Sequence, residues 1–131
     1  MKKIGIIGTR RRDTPSVRKL IEEKFWEIYE DGDWIVSGGC EKGGDKFAEQ
    51  IAKSEGIPIL TIYPNYKRYK YGAPIVRNGP VAETSDVIIA CVIRPEEGIV
   101  EILERKKGGT EDTLRKFVKH KEHNINLIYI V

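Results

Sequence analysis

Glycine-bearing segments precede a segment with helical spacing at three places in this 131-residue chain. The first begins at Gly8, the second covers residues 37–45, and the third covers residues 108–110. Glycine lets the backbone approach a ligand closely and adopt positive φ angles. The free amides at the start of a following helix attract anions. Together these features predict a binding site for a phosphate-bearing ligand.

Polar side chains that could hold a phosphate lie in or near these segments. Thr9 offers a hydroxyl and Arg10 a planar cation directly after the first glycine. Arg77 and Asn78 stand together in a later helical segment, and Thr110 offers a second hydroxyl that could also cap a helix. Turn geometry and capping would explain any one loop, but three in one small domain favour a composite anion pocket. The predicted ligand-binding residues are Gly8, Thr9, Arg10, Ser37, Gly38, Gly39, Gly43, Asp45, Arg77, Asn78, Gly108, Gly109 and Thr110.

Alternating apolar runs and helical segments would position these residues. Apolar, β-branched runs predict five strands, at residues 3–8, 33–39, 57–64, 86–93 and 125–131. Helical spacing predicts helices at residues 14–32, 43–56, 73–85 and 110–123. This alternation is typical of an α/β domain with a parallel sheet and helices on both faces. In such sheets ligands bind beyond the carboxyl ends of the strands.

Other segments have less regular patterns. Residues 65–72 predict a polar, tyrosine-rich loop, which could stack on nucleobases or simply lie on the surface. The helix over residues 73–85 is expected to be interrupted near Gly79 and Pro80. Residues 94–109 give no clear assignment before the third glycine loop.

Composition narrows the classes of protein. The net charge of +3 suits a phosphate-bearing ligand but does not establish nucleic-acid binding. Cys40 and Cys91 are far apart and form no metal-binding spacing, so we expect no metal site. No run approaches the roughly 20 apolar residues that span a bilayer, and no signal segment precedes the first strand. We therefore expect a single cytoplasmic domain over residues 1–131 that has no membrane partner.

Taken in order, these motifs resemble those of the SLOG superfamily, especially its YspA/cpYpsA-related branch of small stand-alone domains. The resemblance covers almost the whole chain and rests on Gly8-Thr9-Arg10, Ser37-Gly38-Gly39, Gly43-Gly44-Asp45, Arg77-Asn78, Ser85-Asp86 and Gly108-Gly109-Thr110. It implies a three-layer Rossmann-like fold with a central, mainly parallel five-stranded sheet flanked by helices. It also implies that the glycine-rich loops bind a nucleotide or nucleotide-derived ligand, with no further cofactor required. We therefore favour a binding module, such as a sensor.

The LOG-type phosphoribohydrolases of this superfamily suggest an enzymatic alternative. They cleave the N-glycosidic bond of nucleoside 5′-monophosphates, and their pattern places a glutamate three residues past the motif threonine, where this chain has Thr113. Glu111 and Asp112 are nearby, but each helical residue turns about 100°, so they are expected to point elsewhere. Glycosidic cleavage needs a positioned carboxylate. The remaining catalytic candidates are Glu111 and Asp45, and binding is favoured over cleavage.

Two further expectations follow from the resemblance. DNA-processing proteins of the DprA/Smf type use a similar domain with an Arg-Asn pair to bind single-stranded DNA, which makes a nucleic-acid partner the third hypothesis because the charge here is nearly balanced. Small SLOG domains often pair through helices, which implies a homo-oligomer. Trp26 and Tyr29 could serve such a face, whereas Phe25 is better explained by core packing.

Overall fold

A five-stranded, all-parallel sheet forms the centre of the protein in a computed structural model that describes residues 1–131. The strand order is β3-β2-β1-β4-β5. The first strand, β1, pairs with β2 and β4, so that Ile4 lies opposite Ile35 on one side and Val87 on the other. The strands are β1 (Lys3–Gly8), β2 (Trp34–Ser37), β3 (Ile59–Thr61), β4 (Val87–Cys91) and β5 (Ile128–Ile130).

Helices cover both faces of this sheet. They are α1 (Pro15–Ile28), α2 (Gly44–Glu55), α3 (Tyr66–Tyr69), α4 (Ala73–Thr84), α5 (Ile99–Glu104) and α6 (Gly109–His120), with 3₁₀ turns at Lys70–Gly72 and Ile125–Leu127. Helices α1 and α2 pack on one face around the fully buried Phe25, and α4 and α6 pack on the other around the fully buried Phe117. Burial on both faces explains why the strands are continuous apolar runs. The predicted three-layer Rossmann-like α/β fold is confirmed.

Several local signals in the sequence act as predicted. Thr14 caps α1, with its Oγ1 accepting a hydrogen bond from the amide of Val17 at 3.4 Å, and Pro15 is the first helical residue. Gly56 follows α2 in the left-handed conformation, with φ of 66°.

On α1, Trp26 is 45 % exposed, and its role in an oligomer stays a prediction. No helix of the structure has the length and apolar character needed to cross a bilayer.

Two predictions about local structure were wrong. The predicted loop over residues 65–72 is helical from Tyr66 to Gly72, because Asn65 Oδ1 accepts the amide of Arg68 at 3.1 Å and caps α3. Helix α4 runs without interruption through Pro80. Val81 and Ala82 are buried against the sheet, and this packing outweighs the backbone hydrogen bond that proline cannot donate. The unassigned residues 94–109 contain the short helix α5.

Asp33 connects the turn before β2 to the start of the chain. Its side chain is almost fully buried and accepts hydrogen bonds from the amides of Lys2 and Glu30, both at 2.9 Å, and from Lys2 Nζ at 2.5 Å. Burial acts to raise the pKa of Asp33, but these hydrogen bonds and the Lys2 charge outweigh it and hold the pKa below its usual value.

We expect this contact to make the protein sensitive to acid. Because the folded-state pKa lies below the unfolded value of about 3.9, the stabilisation is present above that pH and is lost as the pH falls through the folded-state pKa. Urea unfolding between pH 7 and pH 2.5 should show Asp33→Asn losing less stability on acidification than the parent. Asp31→Asn, at an exposed neighbouring acid, should retain the parent's pH dependence. Equal slopes for all three proteins would contradict the assignment.

Candidate functional site

A cavity of about 390 Å³ opens at the carboxyl ends of the strands. Its floor is formed by the end of β1 and by Ile93, just beyond β4. The chain leaves β1 towards β2 on one side of the sheet and leaves β4 towards β5 on the other. The cavity therefore lies at the topological switch point, which is where open α/β sheets form their ligand sites.

Most residues predicted for the site line this cavity. They come from the loop after β1, the start of α2, the middle of α4 and the start of α6. Gly39 lines a neighbouring cavity instead, and Ser37 and Gly43 line neither. The predicted residues on the cavity wall are Gly8, Thr9, Arg10, Gly38, Asp45, Arg77, Asn78, Gly108, Gly109, Thr110 and Glu111.

Helix α2 begins in direct contact with the backbone of β1. A Cβ atom on Gly44 would lie 2.6 Å from the carbonyl oxygen of Ile7 and closer still to the amide of Gly8. No side chain fits there, so glycine is required at the first position of α2. This close approach places Asp45, the next residue, at the edge of the cavity.

Side chains of the glycine-rich segment itself accept three of its amides, those of Gly38, Gly39 and Cys40. Asp45 Oδ1 accepts the amide of Gly38 at 3.3 Å, and its Oδ2 accepts the amide of Cys40 at 3.1 Å. The Gly39 amide donates to Ser37 Oγ at 3.2 Å. These donors, which the sequence suggested for a ligand phosphate, serve internal oxygens. The loop therefore shapes the cavity wall through Gly38 and Asp45.

Arg77 pairs with Asp45 across this wall. Its Nη1 lies 3.6 Å from Asp45 Oδ2 and also donates to the carbonyl of Gly38, and both charged side chains are largely buried. Burial raises the pKa of Asp45 above its usual value, opposed by the Arg77 charge and by the amides of Cys40 and Gly38. Arg77 is thus committed to holding the loop as well as lining the cavity.

The three consecutive arginines after β1 have different roles. Arg12 Nη1 donates to the carbonyls of Val92 and Val131, both at 2.8 Å, and ties the loop to the ends of β4 and β5. Arg10 and Arg11 both line the cavity. Arg10 is exposed and forms no hydrogen bond or ion pair with another side chain. The Arg11 side chain is likewise exposed and without a partner, so Arg10 and Arg11 are both available to a ligand.

Helix α6 brings its amino terminus to the opposite side of the cavity. Gly108, at φ of 110°, is the N-cap and Gly109 the first helical residue, so the expectation that Thr110 caps the helix is wrong. Gly108 adopts a positive φ, which glycine tolerates best. Helix α6 therefore starts at Gly109, one residue before the predicted start at Thr110. The first-turn amides of Gly109, Thr110 and Glu111 have no acceptor within the helix. They are available to an anion in the cavity.

Asn78 fixes α4 against this helix end. Its Nδ2 donates to the carbonyl of Gly109 at 3.3 Å and to Asp112 Oδ2 at 2.9 Å. Burial acts to raise the pKa of Asp112, but hydrogen bonds from Asn78 and Lys116 outweigh it and lower the pKa. Asp112 therefore faces α4 and its own helix, away from the cavity, as predicted. Asn78 acts mainly by positioning the amino terminus of α6.

Unlike Asp112, Glu111 does not point away from the cavity, as the sequence had predicted for both acids. Its side chain is 2 % exposed and folds back over Gly108, so that a Cβ on Gly108 would lie 3.0 Å from Glu111 Oε1. Its Oε2 is buried without a hydrogen-bond partner. A buried polar atom of this kind is rare in native proteins. Because Glu111 also lines the cavity, a donor group on a ligand would complete its hydrogen bonding.

The sequence analysis missed several lining residues. Pro74 lies three positions before Arg77, so the two share one face of α4, and this spacing could have identified it. Ile93 lies two residues beyond β4, at the same edge of the sheet as Gly8, and this position could have identified it. Cys40 reaches the cavity only because its loop folds back on Asp45, for which the sequence shows no signal.

A search of protein-family models, curated proteins and solved structures finds no match to this chain. No group of three or more histidine, cysteine or acidic side chains is arranged to ligate a metal ion.

Proposed function

We propose that the protein binds a nucleotide or nucleotide-derived ligand in the cavity at the switch point, as a sensor or binding module. The observation that carries this proposal is the pairing, in one cavity, of the uncommitted Arg10 with the buried, unpartnered carboxylate of Glu111. A ligand with only a phosphate would leave Glu111 unsatisfied. A sugar phosphate carries both an anion and hydroxyl donors, and so complements both groups.

The phosphate would lie between Arg10 and the amino terminus of α6. The free first-turn amides and the Thr110 hydroxyl, on a largely buried side chain, are donors on one side. The guanidinium of Arg10 is the donor on the other. A sugar hydroxyl would then donate to Glu111. The choice of a nucleotide among sugar phosphates rests on the resemblance to SLOG domains.

Substitution of Arg10 tests this proposal. Arg10→Gln should weaken nucleotide binding by roughly 10-fold or more, because a charge-assisted hydrogen bond contributes about 1.5–3 kcal/mol. Binding is measured by thermal shift across a panel of nucleotides and then by calorimetry for those that shift the melting temperature. Arg68→Gln, with the same charge change on α3 outside the cavity, is the matched control. Equal affinities in both variants, or no shift with any nucleotide, would refute the proposal.

Hydrolysis of an N-glycosidic bond is a second candidate, favoured by the position of Glu111. Two carboxylates, Glu111 and Asp45, line the same cavity, and the raised pKa of Asp45 helps it to retain a proton. An acid that holds its proton is suited to protonate a leaving base. Incubation with nucleoside monophosphates, followed by chromatography, would then release free base. Glu111→Gln should abolish that release while retaining binding, and a flat trace for the parent protein would exclude this candidate.

A further inference from the structure

A second cavity adjoins the first and has an aromatic wall. It measures about 680 Å³ and shares Arg10, Arg11 and Arg77 with the switch-point cavity. Tyr63 and Tyr66 line it and are 67 % and 55 % exposed. Tyr63 and Tyr66 therefore place two accessible aromatic rings beside a cationic boundary, where they can stack on a flat ligand.

Tyr63 is held in place by Gly39. A Cβ on Gly39 would lie 2.5 Å from Tyr63 Cδ1 and 2.7 Å from its Cε1, and Gly39 has a φ of 74°. The positive φ favours glycine at this position, and the absence of a side chain lets the ring pack on the loop backbone. One side of the ring contacts the loop backbone at Gly39 while the rest is exposed to the second cavity.

Tyr66 is positioned by the start of α3. Asn65 accepts the amide of Arg68 at 3.1 Å and so fixes Tyr66 as the first helical residue. The charges around the two rings are mainly positive, because Lys42 and the shared arginines face a single acid, Glu41. This wall suits a flat, apolar ring that is joined to an anion.

We propose that the two cavities form one site for an aromatic heterocycle joined to a phosphate, with the ring stacked on Tyr63 beside Tyr66 and the phosphate beyond the shared arginines. This inference rests on the proposed function and places the heterocyclic ring in the second cavity. It commits to free nucleoside phosphates, in preference to sugar phosphates or inorganic phosphate. Stacking tolerates every base because each has a π face, so selectivity between bases should be low.

Calorimetry with three probes tests the ring site: adenosine 5′-monophosphate, ribose 5-phosphate and inorganic phosphate. The nucleotide should bind the parent protein roughly 10-fold more tightly than ribose 5-phosphate, which corresponds to one stacked base. Tyr63→Ala should remove this advantage and leave the affinity for ribose 5-phosphate unchanged. Tyr63→Phe should retain it, and so should Tyr71→Ala, which removes a fully exposed tyrosine outside both cavities.

The outcomes separate this inference from the proposed function. If ribose 5-phosphate and the nucleotide bind the parent equally, the ring site is wrong and the phosphate site stands. If none of the three probes binds, both are overturned. A single-stranded oligonucleotide, the other source of bases joined to phosphates, is measured at two salt concentrations. Binding tighter than that of the mononucleotide, with a steep loss at higher salt, would overturn the commitment to a free nucleotide.

Discussion

Replacement of Arg77 by alanine is expected to destabilise the protein by about 3–5 kcal/mol. The reason is that Asp45 is 7 % exposed and has Arg77 as its ion-pair partner, with Nη1 at 3.6 Å from Oδ2. Removing the guanidinium leaves a buried carboxylate without a counter-charge. It also leaves the carbonyl of Gly38 without the donor that it has in the folded protein.

The stability lost in Arg77→Ala should depend on pH in a defined direction. Burial already raises the pKa of Asp45, and Arg77 opposes that rise, so Arg77→Ala should raise the pKa further. A carboxyl with a folded-state pKa above the unfolded value of about 3.9 costs stability as the pH rises through that interval. The destabilisation should therefore increase as the pH rises through that interval, because below it protonation of Asp45 relieves the unpaired charge.

Urea unfolding of a double-mutant cycle measures this pair. Asp45→Asn removes the charge and keeps an oxygen that accepts one loop amide. The double variant Asp45→Asn/Arg77→Ala should be more stable than the two single losses predict when added, because it buries no unpaired charge. Additive losses, or a destabilisation that does not change with pH, would show that the ion pair contributes little.

Replacement of Gly44 by alanine should lower the free energy of unfolding by about 3 kcal/mol or more, at the upper end of what overpacking costs. The added Cβ would lie 2.6 Å from the carbonyl oxygen of Ile7, and contacts below 3.0 Å essentially never occur for real Cβ atoms. The obstacle is the backbone of β1, which cannot rotate away like a side chain, so α2 must move off the sheet. The shift would displace Asp45 and with it the cavity wall.

Gly72→Ala is the matched control for this substitution. Gly72 has φ of −81° and no atom within 4 Å of an added Cβ, so alanine fits without strain. The free energy of unfolding of the Gly72→Ala protein should be unchanged or raised by up to about 1 kcal/mol, because alanine reduces the entropy of the unfolded chain. Both variants are compared by urea unfolding. A Gly44→Ala protein as stable as Gly72→Ala would mean that α2 is not held against β1.

These expectations separate folding from binding at the site. Arg77→Ala would weaken a ligand's affinity merely by releasing the loop that holds Asp45, so it cannot serve as a test of contact. Arg10 forms no hydrogen bond or ion pair and only its charge acts on the pKa of Asp45, so Arg10→Gln disturbs the folded loop less and reports mainly on the ligand. The distinction could not be made from the sequence, in which both residues are arginines near glycine pairs.

The five strands, the four long helices, the parallel sheet and the position of the main cavity at the strand ends were determined by the sequence alone. Local chemistry suffices for these features: continuous β-branched runs such as β4 need burial on both faces, and Thr14 with Pro15 marks a helix start wherever the chain folds. The helical residues 66–72 and the unbroken α4 were missed. In α4 the burial of Val81 and Ala82 against distant strands outweighs the local signal of proline.

Only the tertiary structure decided which polar groups are free to meet a ligand. The sequence predicted Gly38, Gly39, Arg10 and Arg77 for one pocket. Folding commits the amides of the two glycines to Asp45 and Ser37 and pairs Arg77 with Asp45, while Arg10 stays uncommitted and Glu111 turns inward. Hydrogen bonds and ion pairs join residues that are distant in the chain, so their partners depend on how the helices and strands pack together.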